Sequence, residues 1–160
     1  MTRVTPCFWF KDQAEEAARF YTSIFPDSRV VKVHRATVDS PGPKVGDVLM
    51  AEFTLAGQDF QALNGGIDAE RSLKVSMVFP ARDQAELDRV WDALVQGGET
   101  QECGWLSDRY GQYWQIVPDR MGEWMSDPGI ARAVMTELFK MVKIDIAVLE
   151  KAAAEASKGE

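Results

Sequence analysis

Histidine, cysteine and basic residues are all scarce in this chain. His34 is the only histidine, so no His-pair metal motif can exist within one chain. Cys7 and Cys103 are too few for a disulfide framework and are not spaced as a CxxC pair. Both are expected to be buried, inert thiols, because no His or Lys near Cys103 in sequence would lower its pKa. Lys and Arg number 18 against 25 Asp and Glu, a net charge of −7. That balance argues against nucleic acid or an anionic membrane as partner, since both call for clustered basic residues. No segment approaches the roughly 20 apolar residues that span a bilayer. Residues 1–6 lead directly into a strand-like stretch without a signal-peptide core, and a cytoplasmic location is expected.

What the chain does have is an internal echo. Phe8-Trp9-Phe10-Lys11-Asp12-Gln13-Ala14-Glu15, followed by Phe20, returns as Phe79-Pro80-Ala81-Arg82-Asp83-Gln84-Ala85-Glu86, followed by Trp91. The shift is constant (83 − 12 = 71 and 91 − 20 = 71). Self-similarity at a fixed spacing marks repeated supersecondary units. Two modules are therefore expected, spanning 3–66 and 71–118, within a single domain covering 1–160. A functional site is expected where they face each other.

Periodicity fills in each module. Val4–Phe10 reads as a strand, with Asp12 as N-cap and Glu15 completing a capping-box spacing. Ala14, Ala17, Ala18, Tyr21 and Ile24 then fall at helical spacing. Strands are predicted at Arg29–Val38, Val48–Leu55 and Phe60–Leu63, the last two joined by the hairpin chemistry of Ala56-Gly57-Gln58-Asp59. The second module repeats the order: a strand at Leu73–Phe79, a helix capped by Asp83 and stopped by Gly97-Gly98, and strands at Thr100–Leu106 and Gln112–Val117. It looks one strand short unless a short strand forms around Trp105. Asp127-Pro128 opens a helix carrying Ile130, Val134, Leu138 and Met141. A last helix runs from Ile144 to about Ala154 before the 157–160 tail, giving a helical extension over 127–157.

The 71-residue shift also pairs polar residues. Thr5 corresponds to Ser76, and Phe60-Gln61-Ala62-Leu63 matches Trp114-Gln115-Ile116-Val117, so Gln61 corresponds to Gln115. A glutamine between apolar neighbours is unexpected on a buried face unless a partner satisfies it. Alternation puts Trp9 on the opposite face from Phe8 and Phe10, and turns His34 away from the flanking valines, towards solvent or an interface.

Several motifs together resemble a known family: Phe8-Trp9-Phe10 with Asp12-Gln13-Ala14-Glu15-Glu16-Ala17, Ala62-Leu63-Asn64-Gly65-Gly66, Cys103-Gly104-Trp105-Leu106 with Asp108-Arg109, and Trp114-Gln115-Ile116-Val117-Pro118. They are similar to the PhnB-like branch of the vicinal oxygen chelate superfamily, often labelled 3-demethylubiquinone-9 3-methyltransferase-like. The superfamily includes glyoxalase I, extradiol dioxygenases and fosfomycin-resistance proteins. The resemblance covers about residues 3–150. It implies an α+β fold of two paired βαβββ modules and a homodimer. It also implies a cleft where a divalent metal is held by His, Glu or Gln from the first and last strands of each module.

Carried over, those four positions are Thr5, Gln61, Ser76 and Gln115. Two hydroxyls and two neutral amides suit neither a hard dication nor an imidazole- or thiolate-seeking one. No metal and no cofactor is therefore expected. A cofactor-binding methyltransferase needs a Gly-rich turn opening a helix, whereas Asn64-Gly65-Gly66 leads towards another strand. The reading that follows is a metal-free cleft binding a small molecule, with Trp9, Trp105 and Trp114 as candidate apolar surface. The alternative is a metal-dependent lyase, isomerase or dioxygenase, with Glu52 and Asp108 as carboxylates and Arg109 as anion clamp. A third class is an interaction protein without a cleft. His34 as a general base lacks a visible orienting carboxylate.

Overall fold

The computed structural model of the protein describes residues 4–70 and 72–158. The expected starting residues of the domain and of both modules (1, 3 and 71) and the end of the tail (159 and 160) lie outside the described residues. The chain divides at residue 70 into two compact units.

The first unit contains β1 (Cys7–Phe10), α1 (Ala14–Ile24), β2 (Arg29–Arg35), β3 (Val48–Leu55) and β4 (Gln58–Asn64). The sheet order is β1-β4-β3-β2, with β1 parallel to β4 and the other neighbours antiparallel. One face buries Phe8, Phe53 and Phe60 with Tyr21 of α1, all with ring centroids 5.5 to 6.4 Å from one another where they touch. Such an aromatic core combines a large buried area with offset and edge-to-face ring contacts.

The second unit repeats the plan. It contains β5 (Met77–Ala81), α2 (Gln84–Val95), β6 (Glu99–Thr100), β7 (Trp105–Ser107) and β8 (Tyr113–Pro118), with sheet order β5-β8-β7-β6. Its core is largely aliphatic, with Leu87, Val90, Leu94, Leu106 and Ile116 fully buried. Three helices follow: α3 (Met121–Met125), α4 (Pro128–Leu138) and α5 (Ile146–Ala156). The βαβββ order expected from the repeat is present in both units, and the short strand expected at Trp105 is β7.

Several predicted boundaries move. The strand predicted from Val4 begins at Cys7, because Pro6 has no N–H to donate to a ladder. Thr5 thus sits just before β1, and Ser76 just before β5, which starts at Met77 and not at Leu73. The strand predicted over Thr100–Leu106 splits into β6 and β7, because Cys103 (φ 60°) and Gly104 (φ 79°) adopt left-handed backbone. A Cβ on Gly104 would also stand 2.7 Å from the Ile116 carbonyl oxygen. Helix α4 ends at Leu138, short of the predicted Met141, and α3 was not foreseen in the sequence.

The caps show a larger departure. Asp83 caps α2 as predicted, accepting from the Glu86 N–H at 2.8 Å, while the Glu86 carboxylate accepts from the Arg82 N–H at 2.9 Å. Asp12 does not cap α1. The N-cap is Gln13, without a side-chain bond, and the Ala14 N–H donates to Asn64 Oδ1 at 2.8 Å. Asn64 stands at the end of the neighbouring parallel strand, is nearly fully buried, and also donates to the Val48 carbonyl at 2.9 Å. A buried amide with both ends satisfied can outcompete an exposed carboxylate for a helix N–H.

Candidate functional site

Strand alternation gives each sheet a second face, opposite its helix, and Gln61, Glu52, Gln115 and Trp105 stand there. In the first sheet one cross-strand row reads Cys7, Gln61, Glu52, Lys32. Residues directly opposite on neighbouring strands share a face. In the second sheet the corresponding row reads Val78, Gln115, Trp105. The 71-residue shift maps Cys7 onto Val78, and Gln61 corresponds to Gln115. The ladder register therefore makes Trp105 the structural counterpart of Glu52, a correspondence that sequence comparison does not display.

The two hydroxyl–amide pairs differ: one shares a cavity and the other is hydrogen-bonded. Thr5 and Gln61 line one cavity of about 350 Å³, along with Val31, Glu52, Asp59 and Phe60. In the second unit the Gln115 amide donates to the Ser76 hydroxyl at 2.8 Å. Trp105 is half-buried beside Gln115 on the same face. Both glutamines lie between buried neighbours yet are themselves half-buried, as alternation demands.

Two residues read separately in the sequence meet here. His34 Nε2 lies 3.0 Å from Glu52 Oε1, so the histidine has an orienting carboxylate after all. The contact is diagonal: Glu52 pairs with Lys32 and His34 with Met50 across β2 and β3. Without the strand register, 18 residues of separation conceal it.

Other candidates do not fit the roles considered for them. Asp108 is neither solvated nor catalytic in setting. It is fully buried and accepts from the Tyr110 and Gln112 N–H groups at 2.9 and 3.1 Å and from Trp114 Nε1 at 2.8 Å. It knots the turn between β7 and β8. Trp114 is buried in that knot and offers no apolar wall to a ligand. Arg109 is exposed on the turn. Cys7 is exposed, contrary to the expected burial, and Cys103 is half-buried. Desolvation by neighbouring groups pushes the pKa of each thiol up, at Cys103 with help from Glu102, so neither is an activated nucleophile. Among the described residues no group of three or more His, Cys, Asp or Glu side chains is placed to hold a metal ion.

The Asn64-Gly65-Gly66 motif has a packing explanation. The Trp9 indole occupies the space a Cβ on Gly65 would need, and Trp9 Nε1 donates to the Ile67 carbonyl at 2.8 Å. Gly66 has φ 81° and packs against Gly42. No helix follows this turn; the next element is β5.

The model of the 3-demethylubiquinone-9 3-methyltransferase family matches residues 2–117. The chain belongs to that family. A comparison with curated proteins finds no match. A solved Bacillus cereus structure, described as a 3-demethylubiquinone-9 3-methyltransferase, PhnB protein, is 32% identical over 73% of this chain and 99% of its own, with a TM-score of 0.65. Two fosfomycin resistance proteins share the fold. FosX from Mesorhizobium loti is 17% identical, covering 79% of this chain and 98% of its own, with a TM-score of 0.55. FosX from Listeria monocytogenes, solved with Mn(II) and sulfate, is 14% identical, covering 78% and 95%, with a TM-score of 0.53. The 3-demethylubiquinone-9 3-methyltransferase family chain is thus an α+β protein of two βαβββ modules with the glyoxalase-type fold. Its C-terminal helices lie beyond the matched segment. No helix of the described residues is long and apolar enough to cross a membrane.

Proposed function

We propose that the chain binds a small neutral or weakly polar molecule without a resident metal. Thr5, Gln61, Ser76 and Gln115 would supply hydrogen bonds and Trp105 an apolar surface. The observation that carries this reading is that each unit sets a hydroxyl near an amide: Thr5 and Gln61 line one cavity in the first, and Gln115 donates to Ser76 in the second. The four residues correspond to the metal-ligand positions of the resemblance, yet none carries charge. The Ser76 hydroxyl is moreover already engaged by Gln115. Such a set does not fit a divalent cation, which draws on carboxylates, imidazoles or thiolates. The methyl-transfer reaction in the family's name is not part of the proposal. A nucleotide-like cofactor is held by a Gly-rich turn at a helix N-terminus, and the glycines here accommodate Trp9 and Gly42 instead.

A cytoplasmic homodimer completes the proposal. Each four-stranded sheet has two edge strands, and Val31 and Val78 are more than half exposed. Unpaired edges and exposed apolar side chains both favour association. Light scattering should give twice the chain mass.

A thermal-shift screen of small neutral metabolites, with and without divalent cations, tests the binding reading. A ligand at about 100 times its Kd stabilises the native state by about 2.7 kcal/mol. For a chain of this size that raises Tm by about 5–10 °C. Ni, Zn, Mn or Fe copurifying at one equivalent per chain would overturn the metal-free reading.

A further inference from the structure

We propose that a separate cavity of the first unit, walled by the 36–47 loop, binds a free diamino acid such as lysine. The cavity is about 430 Å³, and Lys11, Asp12, Asp47, Pro41, Pro43 and Val48 are among its lining residues. None of the residues lining it lines the cavity of Thr5 and Gln61, so the inference does not rest on the binding reading above. The loop wall is built in advance. Val45 N–H donates to Asp39 Oδ1 at 2.9 Å, Ser40 N–H to the Pro43 carbonyl at 3.1 Å and Lys44 N–H to Asp47 Oδ2 at 2.9 Å. A Cβ on Gly42 would stand 2.8 Å from the Gly65 carbonyl carbon, so glycine lets the loop sit close against the end of β4.

The charged residues of this wall are released from the structural work their repeat partners do. Lys11 and Asp12 correspond in the 71-residue echo to Arg82 and Asp83. Arg82 pairs with Glu86 at 3.0 Å, and Asp83 caps α2. In the first unit Glu15 pairs with Arg19 instead, and Asn64 takes the Ala14 N–H. Among the described residues the Lys11 and Asp12 side chains therefore have no hydrogen-bond or ion-pair partner. The Asp47 carboxylate keeps Oδ1 for the cavity, because only Oδ2 is taken by the loop. In the second unit β6 and β7 are joined by residues 101–104 alone, so no matching wall exists there. Two carboxylates and one ammonium around the cavity complement a molecule with two cationic groups and one carboxylate. Pro41, Pro43 and Val48 offer apolar surface to the methylene chain between them.

Titration of the full chain with L-lysine, followed by calorimetry and saturation-transfer NMR, tests the inference. Wild type is expected to bind saturably, with one site per chain. Norleucine, which lacks the side-chain ammonium, and cadaverine, which lacks the carboxylate, should each bind about tenfold more weakly or worse. Asp12→Asn and Lys11→Met should weaken L-lysine binding by a similar factor. Neither side chain has a structural partner, so the unfolding midpoint of both variants should match wild type. Thr5→Val, in the other cavity, should leave L-lysine binding unchanged. No saturable binding by wild type overturns the inference, as does equal binding in wild type, Asp12→Asn and Lys11→Met. Norleucine binding as tightly as lysine overturns the diamino class. Loss of binding in Thr5→Val alone would move the ligand to the other cavity and likewise overturn the assignment.

Discussion

Asp108 shows why a charged residue in a turn cannot be assigned from its neighbours. In sequence, Ser107-Asp108-Arg109-Tyr110-Gly111 reads as solvated turn chemistry. In the fold the carboxylate is fully buried and receives two backbone N–H groups and an indole N–H. Removing the acceptor would strand three donors in a place where water cannot replace it. Asp108→Ala is expected to destabilise the chain by about 3 kcal/mol, seen as a lower midpoint in urea unfolding at unchanged slope. Asp108→Asn should fall between that variant and wild type, because its NH₂ group turns one of the accepting positions into a donor. A neutral effect of Asp108→Ala would mean that the knot contributes nothing to stability.

Helix caps show the same limit one scale up. The repeated Asp-Gln-Ala-Glu suggests that both modules start their helices alike, and only the second does so through its own aspartate. In the first, Asn64 reaches across from β4 to the Ala14 N–H. Its counterpart by strand alignment is Pro118, which has no side-chain acceptor, so the second module relies on Asp83. The two modules therefore exchange a local cap for a tertiary one at matching places. Asp83→Ala should cost about 1 kcal/mol, the usual value of a lost cap. Asn64→Ala should cost more, about 2 kcal/mol, because it also takes a donor from the half-buried Val48 carbonyl. Asp12→Ala should be near neutral. Chemical denaturation of the three variants checks the ordering, and a large loss for Asp12→Ala would contradict it.

For the molecule as a whole, what could be read from the sequence was what depends on local period and spacing. The 71-residue echo, the strand at Val48–Leu55 and the Asp127-Pro128 helix start all need only neighbours along the chain. Partnerships across the sheet were hidden: His34 with Glu52, Asn64 with Ala14, and Trp105 in the place of Glu52 each require the strand register. The C-terminal extension was hidden in another way, since its apolar periodicity says that it packs but not on what. The Gln84 side chain answers this for its own unit. It donates to the Ile144 carbonyl at 3.0 Å and accepts from the Ile146 N–H at 2.8 Å, holding the start of α5 against α2. The Met141 and Val142 carbonyls accept from the Cys103 and Gly104 N–H groups, both at 2.8 Å, so the same segment braces the left-handed turn before Trp105. Lys143 adds contacts to Asp88 and Asp92 at 2.8 and 3.1 Å, but exposed ion pairs contribute little. The Gln84 bonds should therefore dominate the docking. Gln84→Ala is expected to speed hydrogen exchange about tenfold or more across Ile146–Ala156 and at Gly104, while α1 keeps its protection. Gln13 occupies the matching place in the first repeat but is exposed, and Gln13→Ala should leave exchange unchanged in both units. If Gln84→Ala exchanged like wild type, the extension would be held by its apolar face alone, through Ile144, Ile146 and Leu149.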